Sequence, residues 1–226
     1  MSNLRQWHGD LWTVDRPFKL FGVQAGNRMT IIRVGEQLIL HSPVKFDNAL
    51  SAEVGAFGKI SYLISSNCFH YLHIAGWRNA YPQAKVVGPP AQTKLPLDEK
   101  LTPTYQVELE QQWQQTIKIM PIEGIPKLSE FAFIHLPSKT LVLTDLAFNI
   151  HEPLDWITRL FFKAYGVYQH FGPSRLVKLL IKDNNAFAQS LRQIEQYDVE
   201  RIILAHGRVI ESNGLARFKQ AFAQYL

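Results

Sequence analysis

Apolar and polar positions alternate along the first ninety residues with two periods in turn. Leu11–Val14, Met29–Val34 and Gln37–His41 are short, apolar and β-branched, and Gly35-Glu36 supplies a hairpin turn between the last two. Phe46–Phe57 carries helical spacing and stops at Gly58. Ile60–Ile64 predicts a strand, His70–Tyr81 a helix halted before Pro82, and Ala84–Val87 a strand closed by Gly88-Pro89-Pro90. Strand, helix, strand, helix, strand predicts a sheet with parallel pairs.

The middle of the chain changes character. Thr93–Thr104 reads as an irregular loop carrying Pro96 and Pro103. Thr116–Pro121, Glu130–Leu136 and Thr140–Thr144 read as three successive strands, the last two joined through Pro137-Ser138-Lys139. A helical stretch follows from about Leu154 to Tyr197, broken at Gly172-Pro173. Arg201–Leu204 is a last strand and Leu215–Tyr225 a last helix. The expectation is one layered α/β domain over 1–226, with a helical insertion at about 153–197.

Composition narrows the class. With 46% hydrophobic and 19% charged residues in 226, a large core is available and disorder is disfavoured. The single cysteine, Cys68, excludes an internal disulfide framework. The start, Met1 to His8, has no apolar run like a signal peptide, and no stretch approaches the ~18–20 apolar residues of a membrane span. A cytoplasmic location is the expectation. The net charge of +5 permits anionic partners. The absence of zinc-finger spacing, of an RNA-recognition signature and of any long basic run argues against nucleic acid.

Three apolar strands end in groups able to do chemistry: Tyr62 to Ile64 running on to His70, Leu141 to Leu143 running on to Asp145, and Ile202 to Leu204 running on to His206. Strand ends of this kind meet at one sheet edge, where α/β sites form. Imidazole and carboxylate together suggest a metal site. Each also has a plain structural reading. His206 can be a hydrogen-bonded core histidine, Asp145 can cap the following segment, and His70 can simply begin a helix.

Arg28-Met29-Thr30, Leu40-His41-Ser42-Pro43, Asn67-Cys68-Phe69-His70, Ser138-Lys139-Thr140-Leu141, Thr144 to Asn149 and Ala205-His206-Gly207 occur in an order that resembles the metallo-β-lactamase superfamily. They look most like a poorly characterised branch known as a domain of unknown function. The resemblance implies an αββα sandwich, two mixed sheets flanked by helices, with metals at the edge between the sheets. Anchored on Gly76, the superfamily's His-x-His-x-Asp-His motif falls on Cys68 to His73, so that Cys68, His70 and His73 take ligand positions and Leu72 replaces the aspartate. A one-residue slip leaves His70 alone. The turn that normally supplies a further histidine reads Glu123-Gly124-Ile125-Pro126, without one. Asp145 matches the bridging aspartate and His206 the final histidine.

The resemblance therefore implies an eroded site. Its best surviving combination is one divalent ion, zinc before iron or manganese, held by His73, Asp145 and His206 with His70 or His41 close by; the alternative is a chain without metal. With an ion, hydrolysis of an ester, thioester, lactone or phosphoester is expected, with His41 or His70 moving a proton and Asp145 in the machinery. The alternative is a non-catalytic descendant whose cleft binds a small-molecule ligand, lipid or protein. Packing against Trp77 competes with ligation for His73, and burial competes for Cys68. His8, His135, His151 and His170 lack partners in the sequence.

Between the last two motifs, Trp156, Phe161, Phe162, Tyr165, Tyr168 and Phe171 crowd together with Arg159, Lys163, Arg175, Lys178 and Lys182. Three readings fit: a lid over an acyl pocket, a helix pair packing on the sheet, or an amphipathic surface at 153–182 for peripheral membrane contact or a homodimer.

Overall fold

The computed structural model describes residues 4–151 and 154–226. Met1 to Asn3, where the leader-free reading begins, and Pro153, the first residue of the expected insertion, lie outside the described residues. The strands are β1 (Leu4–His8), β2 (Leu11–Arg16), β3 (Lys19–Leu20), β4 (Val23–Gln24), β5 (Asn27–Val34), β6 (Gln37–His41), β7 (Lys59–Ile64), β8 (Lys85–Gly88), β9 (Glu99–Lys100), β10 (Ile117–Pro121), β11 (Phe131–His135), β12 (Thr140–Leu143), β13 (Phe148–Asn149), β14 (Phe171–Gly172) and β15 (Arg201–Leu204). The helices are α1 (Asn48–Gly55), α2 (Ile74–Ala80), α3 (Pro103–Trp113), α4 (Trp156–Tyr165), α5 (Arg175–Leu180), α6 (Asn184–Ile194) and α7 (Gly214–Phe222).

Two sheets carry the fold. One runs β1-β2-β5-β6-β7-β8-β9, antiparallel up to β6 and parallel from there. The other runs β10-β11-β12-β15, with β12 and β15 parallel. Strand periodicity sorts their side chains. Leu11, Ile32, Ile39, Tyr62 and Ile64 of the first sheet meet Ile117, Ile119, Phe133, Val142 and Ile203 of the second in one buried cluster. The alternate residues Ile31, Leu38, Leu40 and Leu63 face outward under Leu50, Val54, Ile74 and Trp77 of α1 and α2. On the far side, Ala132, Ile134, Leu141 and Ile202 are covered by Phe187, Leu191, Phe218 and Phe222 of α6 and α7. The layers are thus helix, sheet, sheet, helix, and both faces of the central strands are buried, which accounts for their nearly unbroken apolar runs.

Several elements differ from the sequence expectation. The loop expected at Thr93–Thr104 contains β9 and the start of α3, whose cap is Thr102, its hydroxyl accepting from the Tyr105 N–H. Tyr105, Leu109 and Trp113, spaced four apart, turn one face of α3 into the inter-sheet core. The helix expected from His70 begins at Ile74, because 68–73 form a turn instead. The long helical stretch is α4, α5 and α6, interrupted by β14, which pairs with β13.

Among the described residues, no helix is long and apolar enough to cross a membrane.

Candidate functional site

The C-terminal ends of β6, β7, β12 and β15 open on one edge. Parallel pairing of Leu143 with Leu204 sets Asp145 and His206, each two residues further on, beside one another. On the other sheet, β7 ends at Ile64 and the chain turns at Asn67. The Asn67 side-chain oxygen accepts from the Phe69 and His70 N–H groups at 2.8 and 3.0 Å, an Asx turn that swings His70 back toward the second sheet.

His70 Nε2 lies 3.2 Å from Asp145 Oδ2, and His206 Nε2 lies 3.5 Å from Asp145 Oδ1. One ligand atom from each of these three residues lies within 4.8 Å of the others. His206 Nδ1 is 2.8 Å from the Gly26 carbonyl oxygen, which can only accept, so this nitrogen carries the proton. In the neutral ring Nε2 then turns a lone pair toward the Asp145 carboxylate. Two electron-rich atoms facing one another call for a cation between them, a proton or a metal ion. The other ring is held by Ser42, whose hydroxyl bonds His70 Nδ1. Two imidazoles anchored at Nδ1 and one carboxylate form a donor set compatible with a divalent metal ion, with its outer hydrogen bonds in place.

Beneath the trio sits a carboxylate of a different kind. Glu130, 1% exposed, accepts from the backbone N–H groups of Thr144, Asp145 and Leu146 at 2.8–2.9 Å. The Asn67 amide donates to Glu130, Thr144 and Asp145, each at 3.0 Å. Glu130 fixes the turn that presents Asp145, and Asn67 links that turn to the opposite sheet. Burial, then the nearby Asp145, raises the Glu130 pKa against the pull of its hydrogen bonds. For Asp145, burial works against ionisation, but His70 and His206 outweigh it and hold the carboxyl well below the usual range. For His70, burial disfavours the charge, while the Asp145 carboxylate and the bond to it carry the pKa upward.

The other sequence candidates fall at varying distances from this centre. His73 is not in the cluster. It occupies the N-cap of α2 and packs edge-on against Phe18, with burial and then Lys45 lowering its pKa. The trio that assembles therefore contains His70 where the sequence favoured His73, which lines the same cavity from the N-cap of α2 without joining the cluster. Cys68 is half-buried outside the cluster, and burial raises its thiol pKa. His41 is 1% exposed against Phe133, its Nε2 unpartnered, and does not line the cavity over the trio. Leu72, at the superfamily's aspartate position, is exposed at the cavity mouth, and Ile125 is buried in the outer core of the second sheet.

That cavity, of about 190 Å³, is lined by His70, His73, Asp145 and His206 on its floor and by Phe18, Phe69, Phe148 and Phe161 among its apolar walls. Phe148 stacks on His206 with ring centroids 5.5 Å apart. Asn27, with a buried side-chain oxygen lacking a partner, stands in the wall shared with a larger groove of about 530 Å³. Ser42, Asn67 and Glu130 were given no role by sequence reasoning. The signal for Glu130 was available, as a lone acid opening the apolar run Phe131–Ile134.

Two buried imidazoles make the fold sensitive to acid. Burial, with His70 adding to it, lowers His41 from 6.5 to about 3, and burial, with His8 adding to it, lowers His135 to about 4. An unfolded histidine takes up its proton near 6.5, before either folded ring does, so acid favours unfolding. Their contribution is fully present above pH 6.5 and is lost as pH falls toward 4; the raised His70 acts oppositely above 6.5, and the raised Glu130 offsets part of the loss at the acid end. Chemical denaturation at pH 7 and pH 4.5 is expected to differ by on the order of 3–5 kcal/mol, and a flat profile would contradict this burial.

A family model described as a domain of unknown function (DUF4336) matches residues 8–172. No curated protein matches the sequence. Among solved structures, a metallo-β-lactamase from Erythrobacter litoralis superposes with a TM-score of 0.67 at 13% identity, over 99% of this chain and 92% of that one. A metallo-β-lactamase from Pontibacter korlensis gives 0.65 at 9%, over 99% of both chains. The metallo-β-lactamase FIM-1 from Pseudomonas aeruginosa, in its mono-zinc form, gives 0.61 at 10%, over 99% of this chain and 95% of that one. The fold is that of the metallo-β-lactamases.

Proposed function

The chain belongs to the DUF4336 family, and from that membership and its metallo-β-lactamase fold we propose a hydrolase that works with one divalent ion, zinc first, on an ester, thioester, lactone or phosphoester. The observation that carries this reading is the convergence of one ligand atom each from His70, Asp145 and His206 within 4.8 Å, an arrangement a cation completes. His70, Asp145 and His206 would hold the ion. Bound there, it would acidify water and polarise the substrate's carbonyl or phosphoryl group.

The chain's own residues supply the rest. Ser42 and the Gly26 carbonyl keep both imidazoles turned inward through Nδ1. Glu130 and Asn67 hold the Asp145 carboxylate in place. The aromatic walls exclude water and favour an apolar acyl or alcohol portion, with Asn27 offering a polar contact beside it. His41 stays neutral through the physiological range, because burial and then the neighbouring His70 both disfavour its charge.

Elemental analysis of the purified protein is expected to find about one equivalent of divalent metal, and a panel of acyl and phosphoryl esters to show metal-dependent turnover. A metal-free protein whose melting temperature is unchanged by zinc, manganese or iron would overturn the hydrolase reading and leave the cavity as a ligand-binding site.

A further inference from the structure

An apolar face surrounds the mouth of the cavity and stands exposed among the described residues. Phe21, 97% exposed, stands at the tip of the β3–β4 hairpin. With φ of 47° it occupies the left-handed region, and Gly22 follows at 86°, the two-residue turn that ordinarily selects Asn, Asp or Gly. Holding a phenylalanine there is unfavourable twice over, in backbone conformation and in hydration. The hairpin is docked on α4 through the Gln24 N–H, which donates to the Thr158 hydroxyl at 3.0 Å.

Helix α4 is inverted relative to an ordinary surface helix. At about 100° per residue, Trp156, Ile157, Leu160, Phe161 and Ala164 form one continuous stripe. All five are exposed, Trp156 at 67% and Leu160 at 61%. Thr158 and Phe162, on another side, pack inward. Leu20, Phe69, Leu72 and Phe161 line the cavity mouth together, which joins hairpin, turn and helix into one patch.

Cations border it. Arg159 and Lys163 flank the stripe on α4, Lys19 lies beside Asp155, Lys45 beside His73, and Lys94 over the Tyr71 ring. Asp155 is engaged as the cap of α4, its carboxylate accepting from the Thr158 N–H and hydroxyl. An exposed apolar stripe rimmed by lysine and arginine is the composition of an interfacial helix. A second copy of the chain would set this basic rim against itself, whereas a surface of anionic headgroups neutralises it.

We infer that this face docks the protein on an anionic lipid bilayer, with Phe21, Trp156 and Leu160 entering the headgroup boundary and Lys19, Arg159 and Lys163 meeting lipid phosphates. The cavity mouth then opens toward the bilayer. The inference is independent of catalysis and of any metal.

Flotation of the full-length protein with phosphatidylcholine vesicles containing about one third phosphatidylglycerol tests it. The wild type is expected to float with these vesicles at low salt, to float less as salt rises, and to remain unbound with phosphatidylcholine alone. Trp156 emission should shift to the blue on binding, a change lost in Trp156→Phe while flotation persists. Phe21→Asp with Leu160→Glu should lower the bound fraction on the order of tenfold, with circular dichroism unchanged because both sites are exposed. Absence of flotation overturns the proposal, as does flotation indifferent to that double substitution. A dimer in sedimentation that Leu160→Glu dissociates, without vesicle binding, assigns the face to a second copy and overturns it as well.

Discussion

His206→Ala is expected to lose bound metal together with all but a trace of hydrolytic activity, whereas His73→Ala keeps its metal. Removing only an outer partner of a metal ligand typically costs 10–100-fold, so deleting a residue proposed as a ligand sets ~100-fold as the floor for His206. The same change removes the imidazole 3.5 Å from Asp145 Oδ1 and the donor to the Gly26 carbonyl, and it takes the stacked ring from Phe148. The pairing with His73 makes the result decisive, because both histidines line the cavity but only His206 lies in the cluster. Metal analysis of the two variants, alongside ester turnover, checks it. Retention of metal by His206→Ala, or its loss from His73→Ala, would show that the ion sits elsewhere.

Glu130→Ala is expected to have the largest effect on stability, on the order of 3–5 kcal/mol in chemical denaturation. The substitution leaves three backbone N–H groups and part of the Asn67 amide buried and unanswered. Each such orphan costs about 1–3 kcal/mol. Glu130→Gln, keeping one acceptor oxygen while directing an NH₂ at donors, should lie between wild type and alanine. A loss below about 1 kcal/mol for Glu130→Ala would mean that the turn at 144–146 holds itself without this group.

Much of the scaffold was legible because its strands are buried on both faces and bounded by strong turn residues. Gly35-Glu36 between Met29–Val34 and Gln37–His41 forms the turn of the β5–β6 hairpin as read. Asp145 and His206 followed from strand ends alone, since parallel register carries equal overruns to the same edge. Helix α3 was harder: its apolar residues occupy a narrow stripe among Gln and Glu, and its start carries Pro103. The choice between His70 and His73 could not be made by counting, because it depends on whether residues 68–73 form a helix or a turn. Asn67 settles that through two hydrogen bonds to Phe69 and His70, a local contact that hydrophobic spacing does not encode. Glu130 was passed over because a charged residue at a strand edge is usually solvated, and its three backbone partners lie in a different strand connection.

The final strand has a consequence for synthesis. The matched family region ends at residue 172, and His206 arrives later still, on β15. It is seated by Arg28, whose backbone N–H donates to the Ala205 carbonyl and whose guanidinium donates to the Leu204 and Gly207 carbonyls. While the chain is still on the ribosome, His70 and Asp145 have emerged without their third companion. The three side chains can therefore meet only after residue 206 has emerged, and until then His70 and Asp145 face one another without the second imidazole.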